Sequence, residues 1–378
     1  MKLADFDYHL PPELIAQYPA RRRADSRMLV VHRAQGRFED ARFRQLPEFL
    51  GPQDVVALNN SRVLPARLWG QRAGIRSQPV GKRNPARQHY LTAPVEVLLV
   101  RPVDGSAWEA LVRPGRKVRL GEKLVFPEET SGRGAGEKPS HGGARPPLLE
   151  AEVVGWGERG LRTLRFSDAD SFEATLRKIG HVPLPPYIHR PEEPLDRRRY
   201  QTVFARRPGS VAAPTAGLHF TRRTLCELEK RGIEIVEITL HVGLGTFQPV
   251  PETELERRQL HPERYEVGPE AATRLNRALA QNRRIVAVGT TTVRTLEHIA
   301  AAQEGQLEPG SGETRLLIQP GFPFRVVGAL LTNFHLPQTT LLMLVCAFGG
   351  RELIQAAYEH AIRERYRFYS YGDCMLIL

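Results

Sequence analysis

Apolar residues along this chain come in two rhythms. Short runs rich in Val, Ile and Leu, bounded by Gly, Pro or Asn, read as buried strands: Met28–His32, Asp54–Asn59, Ser210–Ala213, Ile233–Leu240, Ile285–Val288 and Gly328–Thr332. Longer stretches with helical spacing read as helices: Pro12–Gln17, Thr221–Arg231, Pro269–Asn282, Thr291–Ala302, Gln338–Phe348 and Arg351–Tyr366. After residue 168 the two kinds alternate, which predicts a mostly parallel sheet with flanking helices. A final apolar run, Cys374–Leu378, reads as a last strand.

The texture differs between Val63 and Phe166. Short β-rich runs at Ala66–Gly70, Val95–Arg101, Trp108–Val112, Lys123–Phe126, Ala151–Gly155 and Arg162–Phe166 are separated by Gly and Pro turns, the pattern of a small barrel or sandwich. The reading is an α/β fold: a discontinuous α/β catalytic domain over 1–62 and 169–378, with a small β-barrel domain inserted at 63–168. Two Gly-, Pro- and Arg-rich stretches, 71–92 and 127–147, lack the apolar content to build a core and read as loops.

Composition narrows the class. With 378 residues, 41% hydrophobic and 25% charged, the chain is an ordinary globular one, and no apolar run is long enough to span a membrane. A net charge of +12, carried mostly by arginine, points to an anionic partner, with a solvated basic surface as the alternative. The three cysteines Cys226, Cys346 and Cys374 match no metal or disulfide spacing, and Cys226 and Cys346 sit in helical apolar patterns as buried thiols. The N-terminus carries no secretory leader pattern, so a cytoplasmic location is expected.

The candidate chemistry collects just after strands. Asn59-Asn-Ser-Arg62, Thr215-Ala-Gly-Leu-His219, Gly289-Thr-Thr-Thr-Val-Arg294 and Thr332-Asn-Phe-His335 each follow one. In open α/β sheets ligands bind at that edge. If the strands are parallel neighbours, all four clusters face one crevice. Gly289 frees a turn, and Thr290, Thr291 and Thr292 stand at a helix N-terminus that favours an anion. Arg294 either adds a bidentate contact to a carboxylate or phosphate, or pairs with Glu297 or another acid. The loop His241-Val-Gly-Leu-Gly-Thr-Phe247 places Gly243 and Gly245 where backbone can approach a ligand, although Pro249 and Pro251 prevent a helix from following.

His219, His241 and His335 are the proton-transfer candidates, since imidazole titrates near neutrality. Phe220 and Phe247 are candidates for stacking on a purine, with core packing as the alternative. Asp373 is either a turn residue before the last strand or a carboxylate for an amine or a proton. Arg363, Arg365 and Arg367 are plausible phosphate contacts. Arg62, Thr215, Gly217 and Asn333 complete the candidate binding residues, and no metal motif is present.

Several segments taken together resemble one family: Pro12–Pro19, Asn59–Arg67, Gly180–Ile188, Tyr200–Val203, Ala212–Phe220, His241–Phe247, Val288–Arg294, Thr332–Pro337 and Ser370–Asp373. The chain is similar nearly end to end to the S-adenosylmethionine:tRNA ribosyltransferase-isomerases of queuosine biosynthesis. It departs at Arg198, where the family usually has an acid, at Phe204 and Cys374, and in the length of its basic loops. The resemblance implies a reaction in which tRNA carrying 7-aminomethyl-7-deazaguanine at the wobble position receives the ribosyl part of S-adenosylmethionine. The product is epoxyqueuosine, and adenine and methionine leave. The resemblance also implies an α/β domain with an inserted barrel, S-adenosylmethionine as co-substrate and no metal; a monomer is expected.

Fitted to these residues, Arg294 and Thr290–Thr292 become a clamp for the methionine carboxylate. Asp373 becomes a partner for the methionine ammonium or the tRNA amine. Two rival classes remain on the residues alone. An S-adenosylmethionine-dependent RNA methyltransferase would release S-adenosylhomocysteine. A non-catalytic RNA-binding protein would turn over nothing.

Overall fold

Successive apolar side chains of the central strands point to opposite faces of one sheet, and both faces are covered. Leu29, Val31, Val55, Ala57, Ile285, Ala287 and Leu330 pack into one core with residues of helices Pro269–Ala280, Thr290–Ala302, Thr340–Gly349 and Arg351–Arg363. Met28, Val30, Val56, Leu58, Val286, Val288 and Leu331 pack into a second core with Phe43, Phe204, Phe220 and Leu228. Burial on both sides is why these strands read as continuous apolar runs rather than as alternating ones.

The computed structural model describes residues 2–73, 94–115, 118–127, 147–157, 160–167, 171–243 and 259–378. The chain forms two compact units. The first comprises Met1–Val63, Pro185–Arg190 and Arg198–Leu378; the second comprises Leu64–Leu184 and Pro191–Arg197.

Strands are numbered along the chain. The first unit begins with β1 (Arg27–His32), β2 (Arg37–Arg42), β3 (Asp54–Asn59) and the short β4 (Ser61–Val63). The second holds β5 (Arg67–Ala73), β6 (Val95–Asp104), β7 (Ala107–Arg113), β8 (Lys123–Phe126), β9 (Leu149–Trp156) and β10 (Leu161–Phe166). The first unit resumes with β11 (Arg207–Ser210), β12 (Glu234–His241), β13 (Gln259–Val267), β14 (Arg284–Val288), β15 (Gly310–Leu316), β16 (Val327–Asn333) and β17 (Cys374–Ile377).

In the second unit, β5 to β10 close into a six-stranded barrel in the order β10-β7-β6-β5-β8-β9. Leu68, Val97, Leu99, Ala110, Leu124, Val153 and Leu164 are buried there on alternate positions. The barrel expected from the short, evenly spaced runs is present. Gln71–Ala73 belong to β5, and the rest of the first basic loop, with most of the second, lies outside the described residues.

The sheet of the first unit has nine strands in the order β15-β13-β12-β3-β14-β16-β17-β1-β2. Its centre, β12-β3-β14-β16, is parallel throughout. β17 runs antiparallel to β16 and parallel to β1. The margins β2, β13 and β15 are antiparallel, so the sheet is mixed: a parallel block with antiparallel flanks. The edge where β3, β12, β14 and β16 end is therefore also the edge where β17 and β1 begin.

Local differences from the sequence-based expectation have physical causes. The helix expected at Pro12–Gln17 is a single 3-10 turn, Pro12–Leu14, because Ile15 and Ala16 pair instead with Phe368. The strand expected at Ser210–Ala213 lies earlier, at β11, and pairs only with β4. Pro214 has no N–H to extend it. The helix expected to reach Tyr366 ends at Arg363, since Arg365 takes a left-handed conformation at φ 56°. Cys226 is exposed rather than buried, whereas Cys346 is buried as expected; Cys374 is buried as well. Among the described residues no single helix is long and apolar enough to cross a membrane. The one bent pair that passes by composition, Thr340–Gly349 with Arg351–Arg363, turns by 115° and contributes to the first core.

Candidate active site

The shared edge of β3, β12, β14, β16, β17 and β1 gathers most of the candidate residues. Asn59, at the end of β3, is buried and spends its side chain on structure. Its Oδ1 accepts from the amides of Ser61 and Leu240, and its Nδ2 donates to the carbonyl of Leu240. Asn60 does the same toward Thr239 and Glu237. This pair zips β3 to β12. Arg62 is exposed, and its side chain makes no hydrogen bond or ion pair with the described residues.

The segment after β11 crosses the end of β16 as a 3-10 turn, Thr215–His219, before helix Arg222–Lys230 starts behind the Thr221 cap. Thr215 is half-buried. A Cβ on Gly217 would come within 2.9 Å of Thr202 and 2.8 Å of Phe204, so only glycine permits this close approach. Gly289 donates its amide to Leu331 of β16 and lies 3.9 Å from Ala216 at its missing Cβ. The Gly289 turn, the 3-10 turn and the end of β16 are thus in contact. Three of the four expected clusters follow neighbouring parallel strands, and the fourth arrives as a loop rather than from a strand.

His219 is buried in this cluster. Its Nε2 stands 3.4 Å from Oδ1 of Asn333, and its ring lies 5.4 Å from that of Phe43. Burial pushes its pKa down to about 4; the nearby carboxylate of Asp373 opposes this, but less strongly. The imidazole is therefore neutral at pH 7. Asn333 turns its Nδ2 to the carbonyl of Tyr369 at 2.8 Å, which can only accept. Its Oδ1 therefore faces His219, Nε2 carries the proton, and Nδ1 keeps its lone pair.

His335 lies two residues beyond β16. Its Nε2 is 2.8 Å from the Thr332 hydroxyl, and burial lowers its pKa to about 3. Its backbone is held by Tyr358 and Tyr8. His241 ends β12, three strands from β16, or roughly 14 Å away at about 4.8 Å per strand. Its Nδ1 is buried without a partner among the described residues, beside Gly209, where a Cβ would approach it to 2.7 Å. Burial, and then Arg264, lower its pKa. All three histidines share the edge, and His219 and His335 flank the same strand end.

Asp373, just before β17, is buried. Its carboxylate accepts from the amides of Arg27 and Arg367, and Arg367 pairs with it at 3.5 Å. Its backbone-held position is compatible with either expected role, and its charge acts on His219. Arg363 and Arg365 are exposed.

Helix Thr290–Ala302 starts at Gly289, whose φ is 90°. The amides of Thr292 and Val293 bond back to Gly289, while those of Thr290 and Thr291 make no hydrogen bond with the described residues. The threonines do not cap with their side chains: the Thr292 hydroxyl donates to Val288. Arg294 is buried and engaged, with Nη1 2.5 Å from Glu263 and Nε donating to Leu316. These partners lie on β13 and β15. Glu297 instead accepts the amides of Arg325, Val326 and Val327.

Phe220 is fully buried between Phe43 and Phe204, a core residue with no face left for a ligand. Gly243 is half-buried beyond β12, and Gly245 and Phe247 lie outside the described residues. No group of three His, Cys, Asp or Glu able to hold a metal occurs among the described residues.

The sequence reading missed two features. Tyr369 takes a left-handed backbone at φ 73°, and its ring centroid stands 3.8 Å from that of Tyr187, whose hydroxyl bonds Ser370. Nothing in the sequence marks a tyrosine for that conformation, although Tyr187 lies within the segment Gly180–Ile188 and Tyr369 borders Ser370–Asp373. Glu263, the partner of Arg294, lies in a strand that carries no motif.

Comparison with known proteins follows the same lines. A profile of the family described as "Queuosine biosynthesis protein" matches residues 3–377. The S-adenosylmethionine:tRNA ribosyltransferase-isomerase of Solibacter usitatus is 54% identical over 380 residues, covering all of both chains. That of Moorella thermoacetica is 49% identical over 379 residues, again covering all of both. The crystal structure of S-adenosylmethionine tRNA ribosyltransferase from Thermotoga maritima is 36% identical, with a TM-score of 0.52, and covers 99% of this chain and 100% of its own. With motifs, fold and full-length similarity in agreement, the chain belongs to the queuosine biosynthesis protein family, alongside its S-adenosylmethionine:tRNA ribosyltransferase-isomerases.

Proposed function

We propose that this chain transfers and isomerises the ribosyl moiety of S-adenosylmethionine onto 7-aminomethyl-7-deazaguanine at the tRNA wobble position. Epoxyqueuosine-tRNA forms, and adenine and methionine are released. One observation carries the reading: a neutral, buried imidazole with a bare Nδ1, on His219, shares a sheet edge with the unengaged helix amides of Thr290 and Thr291. The chemistry needs a base near a cationic substrate and an anion site for its carboxylate.

The sulfonium acidifies the adjacent 5′ carbon of the ribosyl group. His219 Nδ1 takes that proton, the electron pair left behind forms the 4′,5′ double bond as the C4′–O4′ bond breaks, and the freed O4′ pair forms an aldehyde at C1′ as the C1′–N bond to adenine breaks. The resulting imidazolium is stabilised by Asp373, which in turn is held by two backbone amides. Protonation of the departing adenine falls to His241, whose Nδ1 has no partner among the described residues. His335, tied to Thr332, positions the end of β16. The tRNA amine then loses a proton as it adds to C4′ of the unsaturated sulfonium, the ylide formed at C5′ attacks the C1′ aldehyde to close the carbocycle, and the resulting alkoxide displaces methionine from C5′ as the epoxide forms.

The amides of Thr290 and Thr291 receive the methionine carboxylate at a helix N-terminus, where an anion gains about 0.3–1 kcal/mol. The faces of Tyr187 and Tyr369 offer a stacking surface for a purine. Functionally, the 1–62 and 169–378 part is the catalytic domain and the 63–168 part an inserted module. The enzyme works as a monomer in the cytoplasm, with no metal.

The test is product analysis. The chain is incubated with S-adenosylmethionine and tRNA bearing the aminomethyl base, and the small products are separated by chromatography. Adenine and methionine in equal amounts support the proposal. S-adenosylhomocysteine identifies a methyltransferase instead, and intact S-adenosylmethionine leaves only a binding protein.

A further inference from the structure

The segment Tyr18–Arg27 runs beside Arg198–Gln201 in the first unit, and the two are locked by arginine. Nη2 of Arg23 donates to the carbonyls of Gln201 at 2.7 Å and Arg198 at 2.9 Å, while its Nη1 donates to Leu218 at 2.8 Å. Nη2 of Arg199 donates to Ala20 at 2.6 Å and its Nη1 to Arg21 at 3.2 Å. Each guanidinium binds backbone carbonyls, and no carboxylate among the described residues pairs with either. Burial lowers the pKa of Arg23 to about 10, and the positive charge of Arg199 and Arg198 adds to the effect. Arg199 is lowered too, by burial first; Tyr371 opposes this, and Arg198 and Arg367 add smaller lowering effects.

In front of this frame stand Arg21, Arg22 and Arg198, all exposed and all without a hydrogen bond or ion pair from their side chains among the described residues. Asp25 is the only acid between Tyr18 and Arg27. Like charges crowded without counter-charge are unfavourable in the free protein and become favourable when a polyanion covers them. The position is specific as well: Arg23 grips the carbonyl of Leu218, the residue before His219. An anion on these three arginines would border the turn that presents the imidazole.

We propose that Arg21, Arg22 and Arg198 form the contact for the phosphodiester backbone of tRNA next to the nucleotide being modified, with Arg23 and Arg199 as their rigid frame. The inference rests on the tRNA-modifying reading above. A strip of consecutive phosphates matches three outward guanidiniums on adjoining segments. Backbone contacts of this kind carry no base identity.

The experiment measures tRNA binding to the full chain without S-adenosylmethionine, as the salt dependence of Kd, in wild type and R21A/R22A/R198A. At about 0.7 per phosphate on single-stranded RNA, three lost contacts lower the slope of log K against log salt by about 2. The Kd at moderate salt rises about tenfold or more. R21K/R22K/R198K retains most of the slope, because each point charge remains. K230A/R325A removes two exposed charges beyond the N-terminal ends of the parallel strands, at the opposite edge, and leaves the slope unchanged. S-adenosylmethionine affinity, read by calorimetry, stays at the wild-type value in the alanine variant, which shows that the fold is intact. An alanine variant with the wild-type slope overturns the proposal. If wild type binds tRNA with this slope but releases no adenine from S-adenosylmethionine, the catalytic reading fails while the phosphate contact stands.

Discussion

Asn333 ties His219 to Tyr369. Its Oδ1 lies 3.4 Å from His219 Nε2, and its Nδ2 donates to the carbonyl of Tyr369 at 2.8 Å. One amide thereby fixes both the tautomer of an imidazole and the carbonyl of a residue held at φ 73°. Replacing it separates orientation from charge. Asn333→Asp puts an acceptor-only group opposite an acceptor-only carbonyl and a carboxylate beside His219. The histidine pKa rises, and the acid limb of log kcat/KM moves upward. Asn333→Ala lowers kcat without such a shift. Equal pH profiles for the two variants would sink the assignment.

His219 as general base gives a pH profile unlike that of an ordinary histidine. Its pKa is held near 4, so kcat/KM stays flat from pH 7 down to pH 5 and falls only as the base becomes protonated toward pH 4. His219→Ala lowers the single-turnover rate by about 10²–10⁴, the range for a lost proton-transfer group. A break at pH 6 to 7 in the wild-type profile would assign the base elsewhere.

The same shifts govern stability. His219 and His335 are neutral in the fold, with pKa values pushed to about 4 and about 3, against 6.5 for the free side chain. Below pH 6.5 the unfolded chain binds protons that the folded chain refuses. Stability is therefore lost as pH falls from 6.5 toward 4, by about 2 kcal/mol per histidine between pH 7 and pH 5. Urea unfolding at the two pH values measures it, and a double His219→Ala, His335→Ala variant shows a correspondingly shallower dependence.

Gly289 sits at φ 90° with room around it, since a Cβ would find nothing nearer than Thr291 Oγ1 at 3.6 Å. The cost of Gly289→Ala is therefore conformational rather than steric, about 1–2 kcal/mol. Relaxation of the strain rotates the amides of Thr290 and Thr291, so the KM for S-adenosylmethionine rises as well. Urea midpoints and initial rates check the two effects separately.

Arg294 and Glu263 form a buried pair at 2.5 Å. Glu263→Gln leaves a buried guanidinium with one fewer counter-charge and destabilises by about 3–5 kcal/mol. The double variant Glu263→Gln, Arg294→Met recovers part of that loss. A double-mutant cycle on unfolding free energies gives the coupling. If Arg294 held a substrate carboxylate instead, Glu263→Gln would change KM more than stability.

Much of this arrangement was legible in the chain. Asp54–Asn59 was placed to the residue, and Ile285–Val288 and Gly328–Thr332 nearly so, because strands buried on both faces must be apolar at every position. The alternation of strands and helices dictated the α/β class, and short evenly spaced runs dictated the barrel. Polar residues at strand ends marked the edge that matters, since nothing in a core would tolerate them there. Tertiary structure decided the rest. Whether Arg294 faces a ligand or Glu263, whether Phe220 stacks on a purine or fills a core, and whether Asn59 binds substrate or zips two strands depend on partners far away in sequence. A local pattern fixes which groups are present at a position. Only the packing of distant segments fixes which of them remain unpaired, and an unpaired polar group is what a substrate can use.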